Sequence, residues 1–134
     1  MEKIKVLIAD DHRVVREGLA AILKTKDDIH IVGEAQDGIE AVEKVKTLVP
    51  DVVLMDVSMP RMGGVEATRQ IKREFPHIGV VALTMYDEQQ YIFDLVRAGA
   101  TGYLLKDSES SQIVAAIRAI YKGESLIHPS VASK

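Results

Sequence analysis

Five times along this chain a short apolar run gives way to a segment of helical spacing, and that alternation limits the fold more than any other feature. Lys5 to Ala9 (KVLIA) has the composition of a strand, and Val15, Leu19, Ile22 and Leu23 follow it at helical spacing. The pattern returns as Ile29 to Glu34 with Gly38 to Leu48, and as Val52 to Met55 with Gly64 to Phe75. It returns again as Gly79 to Leu83 with Glu88 to Ala98, and as Gly102 to Leu105 with Ser110 to Tyr121. Pro50 closes the second helix. Strands this short and this uniformly apolar are buried on both faces, as in a parallel sheet held between two layers of helix.

Right-handed crossovers leave few ways to connect such units. The natural five-strand solution is a doubly wound α/β sandwich, flavodoxin-like (βα)5, with strand order 2-1-3-4-5. An apolar fraction of 47% is enough for one continuous core, so residues 1–123 are expected to form a single domain. Ser125 to Lys134 (SLIHPSVASK) has no helical stripe, follows Gly123 and contains Pro129. Residues 124–134 are therefore expected to be a linker or tail. Lys and Arg number 17 against 20 Asp and Glu, and a net charge of -3 gives no basic footprint for DNA. The absence of cysteine excludes disulfides and thiolate metal sites and fits the cytoplasm. The apolar run at the N-terminus is too short for a secretory signal or a membrane span, so no membrane is expected to be involved.

In open α/β sheets ligands bind beyond the carboxyl ends of the strands. Strand one ends in Asp10 and Asp11, strand three in Asp56, strand four in Thr84 and strand five in Lys106. Singly, each has an ordinary structural explanation, as a helix cap, a strand terminator or a solvated lysine. Together, on one edge, they bring three carboxylates close. At ~4 Å and an effective dielectric of ~20, two like charges repel by about 4 kcal/mol, which calls for a cation or a raised pKa. Hard oxygen ligands in a partly open site suit Mg²⁺, whose shell is commonly completed by a phosphate oxygen. Lys106 and Thr84 offer a point charge and a hydroxyl donor to a phosphate, and Asp56, at the centre of the edge, is the candidate nucleophile.

These residues lie in four phrases that resemble response-regulator receiver domains, most closely those of the NarL/LuxR type. The phrases are IADDHRVVREGL (Ile8 to Leu19), VVLMDVSMPRMGGVEA (Val52 to Ala67), ALT (Ala82 to Thr84) and GATGYLLKD (Gly99 to Asp107). Their order and spacing are specific, and the resemblance spans residues 3 to 123. It implies that Asp56 is the phosphoacceptor and that Asp11, Asp56 and the Ser58 backbone carbonyl bind Mg²⁺ or Mn²⁺, with Asp10 acting through water. It further implies that Lys106 pairs with the phosphoryl group, that Thr84 hydrogen-bonds it, and that Tyr103 rotates inward behind Thr84. Pro60 and Gly64 would shape the loop after the acceptor. Two positions depart from many receivers. Met85 follows Thr84 where a small residue is common, which bears on access to the phosphoryl group. Asp107 follows Lys106 where many have proline, although aspartate is usual in the NarL/LuxR type. His12 is expected to make local hydrogen bonds at the start of the first helix, without a role as metal ligand or general base.

The resemblance implies a two-component signalling protein that is not an enzyme in its own right. It would take a phosphoryl group from a sensor histidine kinase, switch through the face of the fourth helix, fifth strand and fifth helix, and form a homodimer. DNA would be bound only by a LuxR-type helix-turn-helix output domain beyond Lys134; the alternative is a stand-alone receiver that binds a partner protein. A haloacid-dehalogenase-like phosphatase would need an aspartate at the position of Ser58, and Asp10 and Asp11 would repel the phosphate of a flavin carrier.

Overall fold

The computed structural model describes residues 2–126. Strands β1 (Ile4–Ala9), β2 (Ile29–Ala35), β3 (Val52–Asp56), β4 (Gly79–Thr84) and β5 (Gly102–Leu105) alternate with helices α1 (Arg13–Leu23), α2 (Gly38–Leu48), α3 (Gly64–Glu74), α4 (Ile92–Ala98) and α5 (Ser110–Tyr121). All strand pairs are parallel, in the order β2-β1-β3-β4-β5. The expected fold class and order are therefore the observed ones.

The packing follows from the two-residue period of a strand. Val6 and Ile8 of β1, Val52 and Leu54 of β3, and Val81 and Leu83 of β4 share one face with Leu19 and Leu23 of α1 and Ile113 and Ile117 of α5. Their neighbours Leu7, Ala9, Val53, Met55 and Val80 turn the other way, against Ala41 and Val45 of α2 and Ala67 and Ile71 of α3. The central strands β3 and β4 are buried at every residue on both faces, which is why they carry no polar alternation. Burying each large aliphatic side chain contributes about 1.5–3 kcal/mol before chain entropy is counted, so these two layers hold the sandwich together.

Two boundaries differ from expectation. The segment before α4 is a 3₁₀ helix, Tyr86–Tyr91, not the first turn of an α-helix from Glu88. The Glu88 amide donates to the Met85 carbonyl three residues back (3.0 Å), and the Met85 amide donates to the Glu88 carboxylate (2.7 Å), which favours the tighter turn. In β2 the register slips between Ile31 and Gly33, leaving Val32 as an extra residue opposite Val6 and Leu7. Of the expected tail 124–134, residues 124–126 are described, and Leu126 bridges to Gly102. The rest of it, 127–134, lies outside the described residues.

Candidate functional site

The chain leaves β1 for β2 on one side and returns to β3 on the other, so the order reverses between β1 and β3. That is the switch point at which an open sheet offers a crevice. Ala9 pairs with Met55, which places Asp10 and Asp56 side by side at the strand ends. Thr84 pairs with Leu105, so Lys106 follows directly beside it, and its amide donates to the Thr84 carbonyl at 2.8 Å.

Asp10, Asp56 and Thr84 are completely buried (0% exposed), an environment in which aspartate is rare without a partner. The partner is Lys106, whose Nζ lies 2.9 Å from Asp56 Oδ1 and 3.1 Å from Asp10 Oδ2. Burial pushes the Asp56 carboxyl up to about 7; the Lys106 hydrogen bond opposes that rise, and the Asp10 charge and Asp11 contact add to it. Burial alone would lower the Lys106 ammonium, but the hydrogen bond it donates to Asp56 and the Asp56 and Asp10 charges outweigh that and hold it above its ordinary value.

Lys106 does not satisfy the whole cluster. Asp56 Oδ2, Asp11 Oδ1 and Thr84 Oγ1 are buried with no hydrogen-bond partner. An unpaired buried carboxylate oxygen costs several kcal/mol unless something electropositive reaches it. Ligand atoms of Asp10, Asp11, His12 and Asp56 all lie within 4.8 Å of one another, so these oxygens fit a hard divalent cation. A cleft lined by Asp11, Ser58, Met59, Pro60 and Val65 opens beside them.

The loop after Asp56 is shaped by backbone contacts. The Gly64 amide donates to the Val57 carbonyl (2.8 Å), and a Cβ on Gly64 would strike the Asp56 carbonyl. Pro60 accepts from the Met62 amide at 2.7 Å, and Arg61 between them sits at a positive φ of 66°. The Ser58 amide points at Asp56 Oδ1 from 3.4 Å, and its hydroxyl donates to the Glu88 carboxylate. Tyr103 is half-buried against the Val57, Ala82, Leu95 and Ala100 cluster. The Met85 side chain is exposed, and among the described residues no peptide bond is cis, including that after Lys106.

The His12 backbone makes the expected local bond, donating to Asp10 Oδ1 at 2.8 Å. Its ring does not cap α1 but stands against the aspartates. Sequence reasoning missed three supports. Arg16 Nη1 donates to the Asp10 carbonyl at 2.6 Å while its Nε reaches Glu34 at 3.2 Å, tying α1 and β2 to the acidic turn. Asp37 caps α2 by accepting from the Glu40 amide (2.8 Å) and accepts from Arg61 Nε (3.0 Å), bracing the acceptor loop from below. Glu88 bridges the loops after β3 and β4. None of the three charged residues stands out by its local sequence, and only an i+3 capping pattern hinted at Asp37 and Glu40.

Residues 6–118 match the family described as the response regulator receiver domain. The chain is 44% identical over 129 residues to the oxygen regulatory protein NreC of Staphylococcus carnosus (strain TM300), a match covering 96% of this chain and 59% of that protein. It thus spans about three-fifths of the curated relatives it matches. The signal receiver domain of the putative response regulator NarL from Mycobacterium tuberculosis superposes with a TM-score of 0.86 at 36% identity, covering 92% of this chain and all of that one. A LuxR-family two-component response regulator from Aurantimonas sp. SI85-9A1 superposes with a TM-score of 0.88 at 32% identity, covering 98% and 94%. Among the described residues no helix is long and apolar enough to cross a membrane. From matched sequence and matched fold alike, the chain belongs to the response regulator receiver domains, within the NarL/LuxR type.

Proposed function

We propose that this chain is a phosphoacceptor: Asp56 takes a phosphoryl group from a phosphohistidine of a sensor kinase, with Mg²⁺ or Mn²⁺ present. The observation that supports it most is the Asp56 carboxylate itself, buried at a sheet switch point with one oxygen on Lys106 and the other unpaired. An Asp56 oxygen attacks phosphorus, the phosphorus–nitrogen bond breaks with its electron pair leaving on the histidine, and an acyl phosphate results. Asp11, Asp56 and the Ser58 carbonyl would hold the cation, with Asp10 acting through water. That cation, when bound, supplies charge neutralisation to the transferring group. Lys106 keeps its ammonium against the oxygens of the product.

The added group brings a charge of about -2 at neutral pH. Thr84 Oγ1, buried and without a partner, is free to donate to it. Drawing Thr84 toward the phosphoryl group opens space behind it, and the half-buried Tyr103 ring turns in, changing the face made by α4, β5 and α5. That biases a pre-existing equilibrium toward self-association. Residues 1–123 are the receiver unit and 124–134 a connection to an output segment; a LuxR-type helix-turn-helix there would carry DNA binding and transcription control. The function is cytoplasmic and needs no membrane.

Incubation with acetyl phosphate and Mg²⁺ should add one phosphoryl mass to the protein and none to Asp56→Asn. Equal labelling of both would overturn the assignment.

A further inference from the structure

The His12 ring has no part in the reading above. Its Nδ1 lies 3.1 Å from Asp11 Oδ1 and 3.4 Å from Asp10 Oδ1, within the same 4.8 Å group as Asp56. Helix capping does not account for this placement, because the side chain makes no cap hydrogen bond. Pairing with the Asp11 carboxylate accounts for part of this placement, but it leaves Asp56 Oδ2 of the same group without a partner. The cation Lys106 faces the other oxygens, Asp10 Oδ2 and Asp56 Oδ1. What remains unpaired is Asp56 Oδ2 on a fully buried residue, in the same 4.8 Å group as Asp11 and the imidazole nitrogen. The ring is 67% exposed, so no packing constraint opposes a small turn toward a ligand.

We propose that His12 Nδ1 is a ligand of the divalent cation in this site, giving the chain a steeper preference for first-row transition cations over Mg²⁺ than its carboxylates alone would produce. The inference rests on reading the site as a cation site. Mg²⁺ prefers oxygen and keeps its waters, so it gains little from an imidazole. Mn²⁺, Co²⁺ and Ni²⁺ accept imidazole nitrogen with affinity rising in that order. A nitrogen ligand therefore leaves a graded signature across the four cations, whereas a merely structural His12 would move all four together or none.

Dissociation constants for Mg²⁺, Mn²⁺, Co²⁺ and Ni²⁺ on the unaltered protein, His12→Ala and His12→Gln provide the test. Mg²⁺ affinity should stay within about twofold, while Co²⁺ and Ni²⁺ affinities fall by about tenfold or more in both variants, the scale on which groups around a metal change its binding. Pulsed electron paramagnetic resonance of bound Mn²⁺ should show an imidazole nitrogen coupling that changes on ¹⁵N-histidine labelling and vanishes in His12→Ala, which needs no inference from affinity. Flat responses across the cations, or no imidazole coupling, would overturn the assignment while leaving Mg²⁺-dependent labelling of Asp56 intact. Absence of cation binding and of Asp56 labelling in the unaltered protein would overturn the parent reading and this one with it.

Discussion

Lys106 Nζ binds Asp56 Oδ1 at 2.9 Å from the end of a neighbouring-but-one region of chain, joining β5 to β3 across the end of β4. With Asp56 fully buried and the Lys106 side chain 13% exposed, solvent does little to weaken this pair. Lys106→Met should destabilise the protein by about 2–4 kcal/mol, because two buried carboxylates lose their cation. Asp56→Asn in the same background should recover part of the loss, with a coupling of about 1–3 kcal/mol. Urea denaturation of the four members of this double-mutant cycle measures it; strict additivity would mean the pair contributes nothing.

The Asp56 carboxyl sets a pH dependence opposite to that of an ordinary paired aspartate. Its folded value is about 7 against an ordinary 3.8 for aspartate, so between those values the native state holds a proton that the unfolded chain has released. Native proton binding in excess makes stability fall as pH rises through that window and level off above about pH 7. The full effect is at most about 4 kcal/mol. In chelator, the stability of the unaltered protein minus that of Asp56→Asn should decline from about pH 4 to about pH 7, and Mg²⁺ should flatten the decline by favouring the carboxylate. A difference that rises with pH would contradict the assigned burial effect.

Glu88 ties the Ser58 hydroxyl on one loop to the Met85 amide on another, close to the Asp56 carboxylate that the Ser58 amide also faces. A phosphoryl group arriving there meets a negative charge that already holds a local donor. At the part-exposed position of Glu88 the repulsion is modest, about 1 kcal/mol or less. Glu88→Gln should therefore raise the initial rate of labelling by acetyl phosphate by about two- to fivefold, the rate equivalent of that energy. Slower labelling would assign Glu88 a supporting role instead.

The parts of the molecule visible in the sequence were those with a period or a boundary. Both layers of the core follow from the unbroken apolar runs within Val52–Asp56 and Gly79–Thr84, and the polar residues that end those runs mark the site. The start of α4 was not visible, since whether Glu88 lies in an α or a 3₁₀ turn depends on a hydrogen bond between its own carboxylate and Met85. Nor was Arg16, which has the spacing of a solvated helix residue and is drawn to the Asp10 carbonyl only once β1, α1 and β2 are packed. Arg61 is similar: its positive φ is rare outside glycine and is sustained by Asp37, 24 residues away, a long-range pairing that no local pattern reports.

Two glycines give opposite predictions from the same substitution. A Cβ at Gly64 would collide with the Asp56 carbonyl, and backbone there cannot yield without moving the acceptor loop. Gly64→Ala should cost about 1–3 kcal/mol, the usual range for forced overpacking, and should also impair labelling because the displaced atoms belong to Asp56. Gly18 lies in the middle of α1, is exposed, and has nothing within 4 Å of an added Cβ. Alanine there restricts the unfolded chain and suits the helix, so Gly18→Ala should stabilise by about 0.5–1 kcal/mol with labelling unchanged. Thermal or urea melts of the two variants, run beside the acetyl phosphate assay, separate the effects. If Gly64→Ala labelled normally while losing stability, the close contact with Asp56 would be a matter of folding alone.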